Sequence, residues 1–256
     1  MELTVLGSGT AVPHARRASA AHWVQTAHGS LLLDASAAAV HRMAEERLDW
    51  PNLDAIWISH FHLDHLGGLA PLLFGIRHAP QVQTRSKPLN IYSGAGLEKL
   101  LRAMDEAGSF KLFKQKFPVQ FREVAAGESF TILEGLRASV CKTPHTSESL
   151  ALRLEDADGG VLVYTSDTGY SPQLSEFARG AGVLLIECSF PRAKPVEKHL
   201  ELADAMRVAR EAAPRKVLLT HLYPEWDGID IEAEAAKLWD GEVTGATDGL
   251  RLRIEP

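Results

Sequence analysis

An α/β fold of two packed sheets with helices on both outer faces is predicted by three observations. First, strand-like and helix-like stretches alternate early in the chain, strands dominate its middle, and the alternation returns before its end. Second, the 256 residues are 45% hydrophobic and 23% charged, a composition that can bury a substantial core without staples. Third, no low-complexity stretch, long linker or short-period repeat divides the chain, so residues 1–256 are expected to form one domain.

The elements follow in order. LTVLG (Leu3–Gly7) reads as a short buried strand running into a Gly/Ser turn. HWVQTA and SLLLDA read as two strands of a hairpin about Ala27–Ser30. Ser36–Leu48 opens on a serine and then places apolar residues at helical spacing, which predicts a helix. LDAIWIS predicts a strand that delivers His60 at its C-terminal end, and LGGLAPLLFGIRHA predicts the helix behind it. LNIYSG and LEKLLRAMDEA add a further strand and helix. The middle strands are VQFREV, SFTILE, LRASVCKTP, SLALRLE and VLVYTSD. SPQLSEFARG, VLLIECSF, ELADAMRVAREAA, KVLLTH and LRLRIEP restore the alternation.

Composition excludes several classes of function. A net charge of −6 gives no global attraction for polyanions, so a nucleic-acid substrate would need a local patch or a metal. Cys141 and Cys188 stand alone without CxxC spacing, which excludes a disulfide framework and a paired-thiolate metal site. No apolar stretch approaches a membrane span, and MELTVLGSGT lacks the features of a secretory signal, so a cytoplasmic location is expected. The segment Gly108–Pro118 interleaves Phe110, Phe113 and Phe117 with Lys111, Lys114 and Lys116. It is read as an amphipathic surface segment whose phenylalanines dock on the core, rather than as a phosphate-holding loop.

The chemistry gathers in SHFHLDHLGG, Ser59–Gly68. His60 and His62 are two residues apart, so in extended backbone their imidazoles point the same way and can converge on one ion. Asp64 and His65 come a turn later and suit a neighbouring ion. Gly67 and Gly68 are expected to turn the backbone into the next helix. Ligand-type side chains beside an apolar strand would be costly without a metal. Further donors follow other apolar strands: His145 after LRASVCKTP, Asp167 after VLVYTS and His221 after KVLLT. The count balances as His60, His62 and His145 for one ion and Asp64, His65 and His221 for the other, with Asp167 shared. Nitrogen and oxygen donors without thiolate favour two zinc ions, with Mn2+ or Fe2+ as alternatives. Such a pair would lower the pKa of a bridging water to near neutrality. His199, just before a helix, is a candidate proton donor to a leaving oxygen or an anion contact. His14, His22, His28, His41 and His78 are spread singly and read as non-ligands, with His14 expected in a pocket.

This pattern resembles the metallo-β-lactamase superfamily, and within it the branch of ribonuclease Z and its small phosphodiesterase-like relatives. The resemblance rests on LGSGTAVPHARRASA, SHFHLDHLGG, TPHTSESLALRL, VYTSDTGY, ECSF followed by KHLELADA, and LLTHLYP, which run in family order over nearly the whole chain. It implies a four-layer αββα sandwich and the metal ligands already assigned. It also implies that Asp64 orients or deprotonates the attacking water and that His199 assists the leaving group. Three departures matter. Only Thr146–Ser166 lies where ribonuclease Z inserts its tRNA-gripping arm, SDT replaces GDT, and HLELADA lacks the threonine that follows the late histidine in the family.

The resemblance therefore implies a dinuclear metal-dependent phosphodiesterase acting on a small phosphodiester, a nucleotide or an RNA end, rather than on intact tRNA. A homodimer is a further expectation. The first alternative is a carbonyl hydrolase acting on a lactone, thioester or β-lactam at the same centre. Tyr223 and Trp226 could then line an apolar pocket, although they read more simply as packing. The second alternative is a non-catalytic metal-binding protein.

Overall fold

The computed structural model describes Met1–Pro256. The first half of the chain runs β1 (Glu2–Gly7), β2 (Ala21–Gln25), β3 (Ser30–Leu33), α1 (Ala39–Glu45), β4 (Ala55–Ile58), α2 (Leu63–Leu66), α3 (Leu69–His78), β5 (Leu89–Ser93), α4 (Leu97–Gly108) and β6 (Val119–Glu123). The second half runs β7 (Ser129–Leu133), β8 (Leu136–Lys142), β9 (Leu150–Asp156), β10 (Val161–Tyr164), α5 (Pro172–Phe177), β11 (Val183–Glu187), α6 (Leu202–Ala212), β12 (Lys216–Thr220), α7 (Ile231–Ala236) and β13 (Glu242–Gly245). A last strand, β14 (Arg251–Arg253), returns to the edge of the first half.

The strands form two seven-stranded mixed sheets, ordered β14-β1-β2-β3-β4-β5-β6 and β13-β12-β11-β10-β9-β8-β7. In each, antiparallel strands give way to parallel ones: β3 to β6 are parallel in the first sheet, β10 to β13 in the second. The inner parallel strands β3, β4, β11 and β12 are apolar on both faces, as burial between a second sheet and a helix layer requires. In β4, Ala55 and Trp57 face the inter-sheet core while Ile56 and Ile58 face the helices. Val5, Val24 and Leu33 meet Leu152, Leu162, Leu185 and Leu218 between the sheets. Met43 of α1 and Leu69 and Leu72 of α3 cover the outside of the first sheet. Met206 and Val208 of α6 cover the second. The result is the expected αββα sandwich. No helix is long and apolar enough to cross a membrane.

Two local expectations shift. The helix expected over Ser36–Leu48 forms only over Ala39–Glu45. Its start is used elsewhere: the Ser36 hydroxyl donates to the Ser19 carbonyl, and just ahead of it the Ala35 carbonyl accepts from Gly68. At the other end, Arg47 turns left-handed at φ 55°. The short elements α7 and β13 lie in polar sequence without a clear period and were not expected.

Candidate metal centre

The strand ends of both sheets converge on one edge of the sandwich. From the first sheet, the loop after β4 carries His60 and His62, and α2 carries Asp64 and His65. Gly68 lets α3 begin against the turn after β3: its N–H donates to the Ala35 carbonyl at 2.7 Å, and a Cβ there would lie 2.0 Å from the Ser36 oxygen. Gly67 and Gly68 both keep ordinary right-handed backbone. Close approach at Gly68, rather than an unusual turn, is what requires glycine. The second sheet supplies His145 after β8, Asp167 after β10 and His221 after β12.

These side chains form two donor groups, His60–His62–His145–Asp167 and Asp64–His65–Asp167–His221. Within each group, donor atoms lie within 4.8 Å of one another. His145 Nε2 is 3.1 Å from His62 Nδ1. Asp167 faces both groups. Its Oδ2 is 3.7 Å from Nε2 of His60 and of His145, while its Oδ1 is 3.2 Å from His65 Nε2 and 3.3 Å from His221 Nε2. Asp64 Oδ2 completes the second group, 3.4 Å from His221 and 3.7 Å from His65. Each group therefore draws two donors from each sheet.

Two buried carboxylates that the sequence reading did not single out fix the imidazoles. Asp34, just after β3, accepts from His65 Nδ1 at 2.7 Å, from the Ser59 hydroxyl at 2.8 Å and from the Tyr164 hydroxyl at 2.7 Å. With its proton committed to Asp34, Ser59 accepts from His60 Nδ1 at 3.1 Å. Glu187, at the end of β11, accepts from His199 Nδ1 at 3.0 Å and from the Ser189 hydroxyl at 2.7 Å. Ser189 in turn accepts from His221 Nδ1 at 3.1 Å. His145 Nδ1 donates to the Lys198 carbonyl at 3.2 Å. Each Nδ1 is thus a donor, which leaves the Nε2 lone pairs of His60, His65, His145 and His221 turned to the centre. His199 lies beside them, its ring 5.0 Å from that of His145 and 5.3 Å from that of His221.

The Beta-lactamase superfamily domain model matches residues 30–222, three-quarters of the chain and every residue of the two donor groups. The chain belongs to the beta-lactamase superfamily. Among its relatives, the probable metallo-hydrolase YhfI of Bacillus subtilis is 28% identical over 254 residues, covering 98% of each chain. The crystal structure of YhfI superposes with a TM-score of 0.83 over 98% of both chains. Ribonuclease Z of Archaeoglobus fulgidus is 25% identical over 308 residues, covering 99% of this chain and 97% of the relative. The short form of human tRNase Z shares the fold, with a TM-score of 0.79 at 19% identity over the whole of both chains.

In this superfamily member the donor groups fit divalent cations. His60 Nε2, His65 Nε2 and Asp167 Oδ1 are buried and lack a hydrogen-bond partner, an arrangement that bound cations would satisfy. Charge agrees. Burial drives the His60 imidazole down to about 2, helped by the charge of His65, so it remains a neutral donor. Burial opposes protonation of His65 as well, but Asp167 and Asp34 outweigh it and hold its pKa well above that of an ordinary imidazole, so its Nε2 carries a proton that a bound cation would displace. Burial favours the neutral form of Asp167, yet His221 and His65 keep its carboxyl well below the usual range. Asp64 is likewise pulled below its ordinary value, against burial, by the His221 hydrogen bond and the charge of His65. Both carboxylates remain anionic in a cleft that favours positive charge.

The donor loops are also tied to one another. Glu148, three residues after His145, accepts at 3.2 Å from the Phe61 N–H, the peptide group between His60 and His62. Lys142 at the end of β8 donates to the carbonyls of Thr146, Ser147 and Ser149, closing the His145 loop from below. Asp34, Ser166, Lys198 and His221 all have left-handed backbone, with φ of 57°, 52°, 62° and 57°. Such non-glycine conformations cost about 1–2 kcal/mol each and cluster where a fold aims side chains at a site.

The remaining candidates separate clearly. His14 is not at the metal centre. It lines a cavity of about 590 Å³ with Arg17 and Asp227, its Nε2 2.9 Å from Asp227 Oδ2. Trp226 is buried in the core, donating to the Cys188 carbonyl at 2.7 Å. Tyr223 stacks on Phe190 at 4.5 Å and reaches the edge of the centre, 6.3 Å from the His199 ring and 6.1 Å from that of His221. In the Lys/Phe segment, Phe113 and Phe117 join the core as expected, but Phe110 stays 45% exposed.

Proposed function

We propose that this chain is a dinuclear metal-dependent phosphodiesterase of small phosphodiesters, with zinc as the expected metal. The observation that carries the reading is His199, clamped at Nδ1 by buried Glu187 beside two donor groups that share Asp167. Burial opposes protonation of His199, but the hydrogen bond and charge of Glu187 raise its pKa above 6.5. A protonated imidazole with its Nε2 free can donate a proton to the leaving oxygen of a phosphodiester. Asp64, anionic and partly exposed at the mouth, accepts a hydrogen bond from the attacking water and orients it. The Nδ1 bonds of His60, His65, His145 and His221 hold the donor geometry fixed through the reaction. A bound cation pair would supply the Lewis acidity that acidifies the water and balances phosphoryl charge. The names of two relatives, a probable metallo-hydrolase and a ribonuclease Z, support this class of chemistry.

The substrate in this reading is small rather than intact tRNA. Between His145 and Asp167 the chain makes only the β9–β10 hairpin and its short connections. The test is turnover of bis(p-nitrophenyl) phosphate by metal-loaded protein, with and without His199→Ala. Replacement should lower kcat by about 10²–10⁴ if His199 is the proton donor. No phosphodiester turnover, together with brisk lactone or thioester hydrolysis, would replace this reading with the carbonyl one.

A further inference from the structure

Tyr223 stands at the edge of the metal centre with a hydroxyl that the fold itself does not use. Its backbone is pinned on both sides. The Leu222 N–H donates to the Ser8 carbonyl at 2.9 Å, the Tyr223 N–H to the Ser189 carbonyl at 3.2 Å, and the Tyr223 carbonyl accepts from the Trp226 N–H at 3.1 Å. Buried Phe190 backs the ring, 4.5 Å away. Phe190 is itself fixed by backbone hydrogen bonds with Leu200 and Leu202, next to His199. Packing accounts for the ring, and a phenylalanine would pack as well. It does not account for the hydroxyl.

The imidazoles of His199 and His221 are stacked, 5.3 Å apart and 9° from parallel. Tyr223 meets both edge-on, at 70° and 69°, almost equally far from each. It therefore spans the step from a metal donor to the candidate proton donor. Other hydroxyls around the centre are committed to the support network: Ser59 and Tyr164 donate to Asp34, Ser166 to Ser59, and Ser189 to Glu187. Tyr92 and Tyr170 donate to a carbonyl and a carboxylate, whereas the hydroxyl of half-buried Tyr223 has no protein acceptor. Burial, then the charges of Asp167 and Asp64, push its pKa up, which places it on the side of the centre's carboxylates.

We propose that Tyr223 is a substrate-contact residue whose hydroxyl donates a hydrogen bond to a non-bridging phosphoryl oxygen, a proposal that rests on the phosphodiesterase reading above. A diester that presents its leaving oxygen to His199 and its phosphorus to the donor groups puts a non-bridging oxygen in the space between, along the Tyr223 edge. Charge on that oxygen grows towards the transition state. A donor already held in place stabilises it without reorganising. The backing by Phe190 and the three backbone bonds supply that rigidity, and the hydroxyl enters the contact without giving up a protein partner.

The experiment compares zinc-loaded full-length protein with its Tyr223→Phe variant on methyl p-nitrophenyl phosphate and methyl phenyl phosphate. The two esters share their non-bridging oxygens and differ in the leaving group. In the variant kcat/KM should fall about 10–100-fold, equally for both esters, with zinc content and melting temperature unchanged. His199→Ala is the contrast: its loss should be larger for the phenyl ester, the poorer leaving group. A smaller fall in Tyr223→Phe overturns the contact alone. So does a fall accompanied by lost zinc or a lowered melting temperature, which would make the hydroxyl structural. A loss that grows for the phenyl ester, as in His199→Ala, assigns the hydroxyl to the leaving oxygen and also overturns it. If the wild-type protein hydrolyses neither ester, the phosphodiester reading fails and the contact fails with it.

Discussion

Asp34 and Glu187 hold equivalent places in the two sheets. Each is a fully buried carboxylate at the C-terminal end of a strand, and each orients two imidazoles, one directly and one through a serine. Ser59 relays Asp34 to His60, and Ser189 relays Glu187 to His221. In the proposed reaction Glu187 would serve both roles, metal binding through Ser189 and His221 and proton donation through His199. Ser189→Ala should weaken retention of one ion about 10–100-fold in chelator competition, because only His221 loses its Nδ1 partner. His199→Ala should keep both ions and lose turnover. Equal metal loss in the two variants would contradict this division.

Asp167 is the only donor common to both groups. Asp167→Ala should therefore leave less than one ion per chain by elemental analysis, whereas Asp64→Ala should still retain about one at the group it does not touch. Retention of two ions by the Asp167 variant would mean that its carboxylate is not shared.

Glu148 braces the backbone between His60 and His62 from the loop that carries His145. Glu148→Ala should lower metal affinity about tenfold, and Glu148→Gln, which keeps a side-chain acceptor, should restore most of it. If alanine and glutamine behave alike, the contact with the Phe61 N–H is not what positions the loop.

His22 on β2 lies fully buried under the centre with neither ring nitrogen hydrogen-bonded. Burial, then the charges of His65 and His221, drive its pKa from 6.5 down to about 3. Between those values the unfolded chain binds a proton that the folded chain does not, so stability present above pH 6.5 falls as the pH drops, by up to about 1.4 kcal/mol per unit. His22→Leu removes this contribution. In urea unfolding of chelated protein, the stability difference between variant and wild type should move in favour of the variant from pH 7 to pH 5. A difference independent of pH would show that His22 is not the group responsible.

The sandwich and the convergence of the seven candidate side chains were legible in the sequence because each follows an apolar strand or sits in the His/Asp cluster. Strand ends at one edge of a sheet converge whatever the details of packing. What could not be read was the support behind the donors. Asp34 in LLLDA and Glu187 in LLIEC are lone acids after apolar runs, and only the pairing of β3 beside β4 and β11 beside β12 brings them to Ser59 and Ser189. An acid closing an apolar strand is the signal that the sequence holds for both. The left-handed backbone at Asp34, Ser166 and His221 is invisible to residue preference, since none of them is glycine. Phe110 escaped the expected docking because Gly108 gives its ring a seat outside the core.

Each donor group takes two side chains from one sheet and two from the other. A cation held there would act as a cross-link between the two halves of the chain, comparable in effect to a disulfide although no cysteine takes part. Stripping the metal would then loosen the seam between the sheets before it loosened either sheet. Hydrogen exchange would rise first at Ser59–His65 and at the ends of β10 and β12, with the strand centres still protected.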